Sequence, residues 1–278
     1  TVGTLTYEPY AGNPAPMLER LPKSRALLVN KGFKNNGVKS VLSSFSENQS
    51  MAPRGVSIGS TNKPYTDFQE MLHDIEKGFR EAENFDNFDY YELNISCPNL
   101  LNLQNLKEQL ASPTGLRQAL EILAGLNLKR PVFIKMPLER TEGEINEMLD
   151  VASEYYFISG LIFSNLAKDR TNTAFDQNEI QNAGKGNFSG KPVTEKSNAM
   201  LHYVYKTFGK RFILVGVGGV FTAEDAYKKI RLGATLVQMI TGMVFMGPQQ
   251  IGIINKELAE LLKRDGYKNI SEAIGTLN

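Results

Sequence analysis

The chain has 278 residues, and its 31 lysine and arginine residues against 30 aspartate and glutamate residues give a formal net charge of +1 at pH 7. A chain of this length can bury a sizeable core, either in one large α/β barrel or in two smaller domains. The balanced charge provides no field to attract nucleic acid, so we expect no nucleic-acid partner. The single cysteine excludes an internal disulfide and a zinc site built on cysteine pairs, and no apolar run reaches the roughly 18 residues of a membrane span.

In chain order, short apolar runs predict eight strands, at Thr1–Thr6, Ala26–Asn30, Gly55–Gly59, Asp89–Asn99, Pro131–Lys135, Gly160–Asn165, Arg211–Val217 and Ala234–Ile240. Helical periodicity predicts helices at Val38–Phe45, Thr66–Phe79, Gly115–Leu126, Glu142–Glu154, Glu195–Lys206, Ala223–Leu232 and Gln249–Lys263. Continuous apolar strands that alternate with helices are typical of a parallel sheet covered by helices. Since no linker or shift in composition divides the chain, we expect an α/β protein with a single (β/α)8 barrel domain over residues 1–278.

Two further features of local structure can be predicted. Thr66 and Gln69 form a capping-box pattern, which predicts that the helix begins at Thr66. The segment Leu166–Pro192 is rich in Asn, Gln, Gly and Lys, and it is predicted to be a long polar loop. Loops of that length in a compact domain are usually functional or disordered.

The strand that begins at Asp89 ends in polar groups around the only cysteine of the chain. Pro98 stops the strand because proline cannot donate to a ladder. Four polar residues lie at this tip, where they could converge on a small polar ligand: Asn94, Ser96, Cys97 and Asn99. The alternative is an ordinary turn beside a small buried cysteine. His73 and His202 lie in helical patterns, so a Cys–His nucleophilic pair is not supported.

Two other strand ends carry candidate functional groups. Gly216–Val220 lacks the third glycine of the dinucleotide-binding pattern, but glycines after the seventh strand and Thr241 after the eighth occupy the common phosphate site of a barrel. The alternative is that these glycines only make tight turns. Lys135 at its strand end suits charge stabilisation of an electron-rich ring or an oxyanion, unless its side chain extends to solvent.

Short motifs follow one another in a characteristic order along nearly the whole chain. They are Gly3–Thr6, Gly12–Pro14, Asn30–Phe33, Asn35–Gly37, Asn94–Asn99, Ile134–Lys135, Ser189–Pro192, Gly216–Val220, Val237–Pro248 and Ile270–Gly275. Together they resemble dihydroorotate dehydrogenase. The resemblance implies an FMN enzyme on a (β/α)8 barrel that oxidises dihydroorotate to orotate in pyrimidine synthesis, with a base that removes the C5 proton while hydride passes from C6 to flavin N5.

The resemblance also implies roles for individual residues. Cys97 stands at the position of the catalytic base, and the amides that hold orotate match Asn30, Asn94, Asn99 and Asn165. The flavin contacts match Gly3, Thr4, Asn94, Lys135, Ser164, Ser189, Gly190, Gly218, Gly219 and Thr241. No metal is implied.

The subclass markers conflict. Gly32–Phe33, Ser189–Pro192 and Gly247–Pro248 are similar to the quinone-linked class 2 enzymes, whose base is usually serine, whereas a cysteine such as Cys97 is the base of the soluble class 1 enzymes. The overall pattern favours class 2 and a quinone acceptor. The alternatives are a class 1-type enzyme that uses fumarate or NAD, and a non-catalytic barrel that binds flavin or phosphate.

The chain also departs from the family pattern. Ser57 occupies a position that is often asparagine, Leu166 replaces a threonine, and Pro98–Asn105 lacks the usual Pro-Gly-Leu-Arg lid sequence. The family's first barrel strand and its N-terminal membrane-associating helices have no counterpart in the sequence. The resemblance also places the run at 26–30 in an excursion at the active-site face, so of the eight predicted strands we expect seven to belong to the barrel. We also expect an upstream segment that makes peripheral contact with a membrane, at the cytoplasmic face of a bacterial inner membrane, or at the mitochondrial inner membrane in a eukaryote. A class 1-like enzyme would be cytoplasmic.

Overall fold

The structure is a computed structural model that describes residues 1–45, 52–103, 105–163, 165–209 and 211–277. Within these ranges the strands are β1 Val2–Leu5, β2 Leu18–Leu21, β3 Ala26–Val29, β4 Gly55–Ile58, β5 Tyr90–Asn94, β6 Val132–Lys135, β7 Ile158–Phe163, β8 Asn187–Gly190, β9 Ile213–Val217 and β10 Leu236–Gln238. The helices are α1 Val38–Ser43, α2 Phe68–Ala82, α3 Leu106–Leu110, α4 Pro113–Ala124, α5 Glu142–Ser153, α6 Gln177–Asn182, α7 Thr194–Phe208, α8 Ala223–Arg231, α9 Thr241–Met246, α10 Gln250–Arg264 and α11 Ile270–Ala273.

The chain forms two compact units. The first comprises Thr1–Met17 and Asn30–Ser159, and the second comprises Leu18–Val29 and Gly160–Asn278. In the first unit, parallel strands pair in the order β1, β4, β5, β6. In the second unit, β7, β9 and β10 are parallel, and β2, β3 and β8 form a separate antiparallel sheet. The described residues thus contain seven strands of the parallel type, as expected, and the run at 26–30 is one of the antiparallel strands.

The core of the first unit follows from the apolar period of α2. Met71, Leu72, Ile75 and Phe79 are buried on one face of this helix, and Phe79 stacks on Tyr91 of β5 with ring centroids 4.9 Å apart. This packing leaves the alternate residues of β5 on its other face. Those residues are polar, which is the first structural sign of a site inside this unit.

The core of the second unit has two parts. Ala226 and Ile230 of α8 pack with Ile254 and Leu258 of α10. The two residues of each pair lie four positions apart, so each pair lies on one apolar face of its helix. A separate apolar cluster under the antiparallel sheet contains Phe175 and Phe188, whose rings lie 4.7 Å apart.

The predicted start of the helix α2 was wrong. The helix α2 is capped by Asp67, whose side chain accepts from the Glu70 N–H at 2.8 Å, whereas Thr66 donates its N–H and hydroxyl to the Glu70 carboxylate. Aspartate caps a helix as well as threonine does, so the cap lies one residue later than predicted and the helix begins at Phe68. The carboxylate that pairs with Thr66 is that of Glu70 and not the side chain of Gln69.

The segment Leu166–Pro192 is not a structureless loop. It contains α6, which is capped by Asp176, and β8, which pairs with β3. A helix of six residues is too short to show a period, and the pairing of β8 depends on a strand far away in sequence. The short elements β2, α9 and α11 were not predicted from the sequence either, because they too are short.

Candidate active site

A continuous polar chain occupies the ends of β1, β4, β5 and β6 in the first unit. The Asn94 side-chain NH2 donates to Thr4 Oγ1 at 2.8 Å, and the hydroxyls of Thr4 and Ser57 lie 2.9 Å apart. Ser57 Oγ donates to Glu92 Oε1 at 2.7 Å, and Lys135 Nζ lies 3.5 Å from the same oxygen. Parallel register explains the convergence, because Ser57 is paired with Glu92 and Asn94 with Lys135. The structure therefore brings together Thr4, Asn94 and Lys135, three of the predicted flavin contacts.

Gly3 precedes Thr4 in β1, and steric constraints explain why this position is a glycine. Its φ is +117°, and an added Cβ would lie 2.6 Å from the Ser57 carbonyl oxygen and 2.8 Å from the Leu5 nitrogen. Only glycine adopts this backbone readily. The close approach of β1 to β4 at this point lets Thr4 reach Ser57.

Cys97 follows β5 and is partly buried. Burial raises the pKa of its thiol to about 11, although the backbone N–H of Asn99 and the cations of Lys135 and Lys107 favour the thiolate. Lys107 also donates to the Pro98 carbonyl at 3.2 Å, which ties the segment after the cysteine to α3. The thiol is therefore mostly protonated at neutral pH and becomes a strong base once it ionises.

A buried amide cluster holds the neighbouring asparagines. Asn13 donates from its side chain to Asn30 Oδ1 at 3.0 Å and to the Asn99 carbonyl at 2.9 Å. The Asn13 Oδ1 accepts from Asn62 Nδ2 at 3.0 Å and from the Tyr10 hydroxyl at 2.8 Å. All four asparagines are buried, so Asn13 is the centre that fixes Asn30 and Asn99.

In the second unit, β8 and α9 bring three predicted flavin contacts together. Ser189 Oγ and Thr241 Oγ1 lie 2.8 Å apart. Gly190 has a φ of +98°, and an added Cβ would lie 2.9 Å from Thr241 Cγ2. Thr241 is thus the first residue of a helix beside β8, and the strand before it, Leu236–Gln238, is shorter than the predicted Ala234–Ile240.

The glycine loop after β9 packs against the start of α7. Gly218 and Gly219 have φ values of +101° and +73°, and an added Cβ on Gly219 would overlap Thr194 Oγ1. The absence of side chains leaves backbone N–H groups accessible to a close ligand, as a phosphate-binding loop requires. Ser197 of α7 donates to the carbonyl of Val217, which directly precedes these glycines, at 2.5 Å.

A buried cation lies behind the glycine loop. Lys229 Nζ donates to Ser197 Oγ at 2.9 Å and to Asn198 Oδ1 at 2.8 Å. Burial lowers the pKa of Lys229 to about 7, since its nearest partners are neutral and the charges of Asp225 and Glu195 compensate only in part.

The two remaining predicted residues lie after β7. Asn165 accepts at its Oδ1 from the Leu166 N–H at 3.0 Å, so its side chain stabilises the start of the next segment. Ser164 lies outside the described residues.

Sequence reasoning missed five residues that shape these clusters: Asn13, Asn62, Glu92, Ser197 and Lys229. For Glu92 a signal was present, because it lies two residues before Asn94 and so shares a face of β5 with it. Asn13 lies within the Gly12–Pro14 motif. The other three carry no signal that the sequence would distinguish from an ordinary surface or loop residue.

Comparison with known proteins gives consistent matches. Residues 1–262 match the family model described as dihydroorotate dehydrogenase. Relatives named dihydroorotate dehydrogenase (quinone) include one from Myxococcus xanthus, 36% identical over 277 residues, and one from Nocardia farcinica, 32% identical over 282 residues. Both alignments cover 99% of this chain and 73% of the relative.

Solved structures agree with the sequence matches. The ligand-free DHODH of Eimeria tenella has a TM-score of 0.83 at 25% identity, covering 99% of this chain and 80% of that one. The crystal structure of the Eimeria tenella DHODH in complex with ferulenol has a TM-score of 0.80 at 26% identity, covering 99% of this chain and 77% of that one. These similarities confirm the α/β barrel class that the sequence predicted.

Proposed function

This chain belongs to the dihydroorotate dehydrogenase family, and we propose that it oxidises dihydroorotate to orotate in pyrimidine biosynthesis, with FMN as its cofactor and a quinone as the electron acceptor. The observation that carries the proposal is the arrangement in the first unit, where Cys97 lies between Asn94 and Asn99 and close to the charge of Lys135. An ionisable thiol in a segment that also carries two asparagines suits a substrate that is both a carbon acid and a pyrimidine dione.

FMN fits the groups that each unit presents. In the first unit Lys135 offers a positive charge, Thr4 and Asn94 offer hydroxyl and amide groups, and Gly3 allows the close approach of β1 to β4 that places Thr4. In the second unit the glycines and hydroxyls suit an anion such as the phosphate. We propose that the cofactor is held by Gly3, Thr4, Asn94, Lys135, Ser164, Ser189, Gly190, Gly218, Gly219 and Thr241. A bound FMN would supply the acceptor for the hydride that leaves C6 of dihydroorotate.

The substrate roles are assigned to the residues around Cys97. The Cys97 thiolate takes the proton from C5 of dihydroorotate, forming an S–H bond as the C5–H bond breaks. Asn30, Asn94, Asn99 and Asn165 offer donors and acceptors to the edge of the pyrimidine ring and to its carboxylate. The buried amide cluster around Asn13 keeps Asn30 and the Asn99 backbone in one arrangement, so these groups lose little conformational entropy when the substrate binds.

The acceptor follows from the named relatives, which are quinone-linked. Since membrane quinones are dissolved in the bilayer, we propose that the protein acts as a peripheral membrane protein, at the cytoplasmic face of a bacterial inner membrane or at the mitochondrial inner membrane. Within the described ranges, none of the helices combines the length and the apolar character needed to cross a bilayer.

The cysteine supports one alternative. Cys97 is the base type of class 1 enzymes, so a dehydrogenase that reduces fumarate or NAD is the second candidate. In that case the protein would be cytoplasmic.

The proposal is tested with purified protein reconstituted with FMN. We expect a yellow protein whose absorbance near 450 nm bleaches under anaerobic conditions when dihydroorotate is added, and whose steady-state turnover requires a quinone such as decylubiquinone. Turnover with fumarate or NAD and none with quinone would favour the second candidate. A protein that binds FMN but is not reduced by dihydroorotate would refute both.

A further inference from the structure

Glu92 is a buried carboxylate without an assigned role, and it lies among the proposed flavin contacts. It is only 2% exposed, near the end of a strand whose next residue on the same face is Asn94. Burying a carboxylate is costly unless it is paired. Its two partners are Ser57, which donates to it at 2.7 Å, and Lys135, whose ammonium lies 3.5 Å away.

Glu92 sets the direction of the hydrogen bonds in the polar chain. A carboxylate only accepts, so the single hydroxyl hydrogen of Ser57 is directed to Glu92. Thr4 must then donate to Ser57, and Thr4 can only accept from the NH2 group of Asn94. The Asn94 oxygen is left to accept from the Ser96 N–H at 3.2 Å. The NH2 group of Asn94 and the hydroxyls of Thr4 and Ser57 therefore donate along one chain that ends at the Glu92 carboxylate.

Glu92 also balances the charge of Lys135. The Lys135 side chain is 21% exposed, and its ion pair with Glu92 is the one close carboxylate contact that the described structure gives it. A lysine at a flavin site stabilises the reduced ring, because a hydride adds two electrons and one proton and so leaves the ring system one unit more negative. A carboxylate paired with that lysine opposes the effect.

We propose that Glu92 is a positioning residue that lowers the reduction potential of the bound flavin by neutralising Lys135, and that it accepts the last hydrogen bond of the chain that runs from Asn94 through Thr4 and Ser57. The inference rests on the proposed function, since it requires FMN at this site. Its consequence is that the flavin passes electrons on to the acceptor more readily than it would beside an unpaired lysine.

The test is the two-electron midpoint potential of the FMN-loaded protein, measured by equilibration with a reference dye during slow anaerobic reduction. Glu92→Gln removes one negative charge and keeps an oxygen that can accept from Ser57. We expect the equilibrium constant for flavin reduction to rise about tenfold, which corresponds to about 30 mV. Glu92→Met removes the same charge with no polar group, so it provides a second measurement if the amide variant does not fold.

Glu83→Gln is the matched control. The Glu83 carboxylate accepts from the Tyr91 hydroxyl at 2.7 Å, and the Tyr91 side chain lies on the face of β5 opposite to Glu92. The replacement of Glu83 should therefore leave the flavin potential unchanged. If either Glu92 variant binds FMN stoichiometrically and keeps the wild-type potential, the inference is overturned and Glu92 is only structural. If the wild-type protein binds no FMN, the proposed function fails instead, which a simple absorbance spectrum distinguishes.

Discussion

The strongest prediction concerns the ionisation of Cys97. Burial raises the pKa of this thiol to about 11. At pH 7 the thiolate fraction is then about one in ten thousand, and it rises tenfold for each pH unit until it approaches the pKa. If the thiolate is the base, the rate of flavin reduction by dihydroorotate must rise with the same slope.

Because Cys97 is the only cysteine, its ionisation can be followed directly. The rate of alkylation of the ligand-free protein by iodoacetamide should increase about tenfold per pH unit from pH 7 to pH 9.5, without a plateau. Stopped-flow measurement of anaerobic flavin reduction should give a parallel profile over this range. Cys97→Ala should lower the reduction rate about 10² to 10⁴-fold, the usual contribution of a general base.

Cys97→Ser is the informative control, since serine is the usual base of the quinone-linked class. A hydroxyl ionises at higher pH than a thiol, so this variant should be slower at pH 7 and its rate should still be rising at the highest pH tested. A wild-type reduction rate that is flat between pH 6 and pH 9, or alkylation that levels off below pH 9, would refute the assignment of Cys97 as a base with a raised pKa.

Three other predictions concern residues that support the site. Lys229 has a folded pKa of about 7, below its ordinary 10.5, so the folded protein binds fewer protons than the unfolded protein between these two pH values. The free energy of unfolding, measured by urea titration, should therefore rise by about 2 kcal/mol from pH 7 to pH 9 in the wild type. A Lys228→Met control should show the same rise, and Lys229→Met should not. Gly219→Ala places a Cβ at φ +73° against the Thr194 side chain, so it should lower the free energy of unfolding by about 1 to 3 kcal/mol and weaken FMN binding in fluorescence titrations. Gly143→Ala, where the added Cβ has open space, should change neither quantity. Asn13→Ala breaks the centre of the amide cluster, so it should lower stability by about 3 kcal/mol and raise the KM for dihydroorotate more than it lowers kcat; an unchanged KM would contradict its role in positioning.

The sequence could predict what depends on strand order and strand ends. The sequence placed Asn94 and Lys135 at the ends of two strands, and because parallel strands deliver their final residues to one edge, the register pairs these two residues. The glycine loop could be located because positive φ values select glycine. These predictions need only local chemistry and the topology of an α/β protein.

The features that the sequence could not predict depend on partners far apart in the chain. Asn13 is an ordinary turn residue until Asn30, Asn62 and Asn99 surround it. Lys229 lies in a helix with basic neighbours, and only the tertiary structure shows that it is buried. A polar residue in a loop or on a helix is usually exposed, so the sequence gives no reason to expect these burials.

Lys135 connects the two halves of the proposed reaction. Its ammonium favours the thiolate of Cys97, and it also favours negative charge on an electron-rich ring, while Glu92 opposes it from the buried side. A stronger net charge on the lysine would make the cysteine easier to ionise but would also retain electrons on the flavin. A weaker net charge would release the electrons but leave the thiol protonated. On this proposal, the ion pair with Glu92 moderates both effects of Lys135, so that electrons leave the flavin more easily and the thiol ionises less easily.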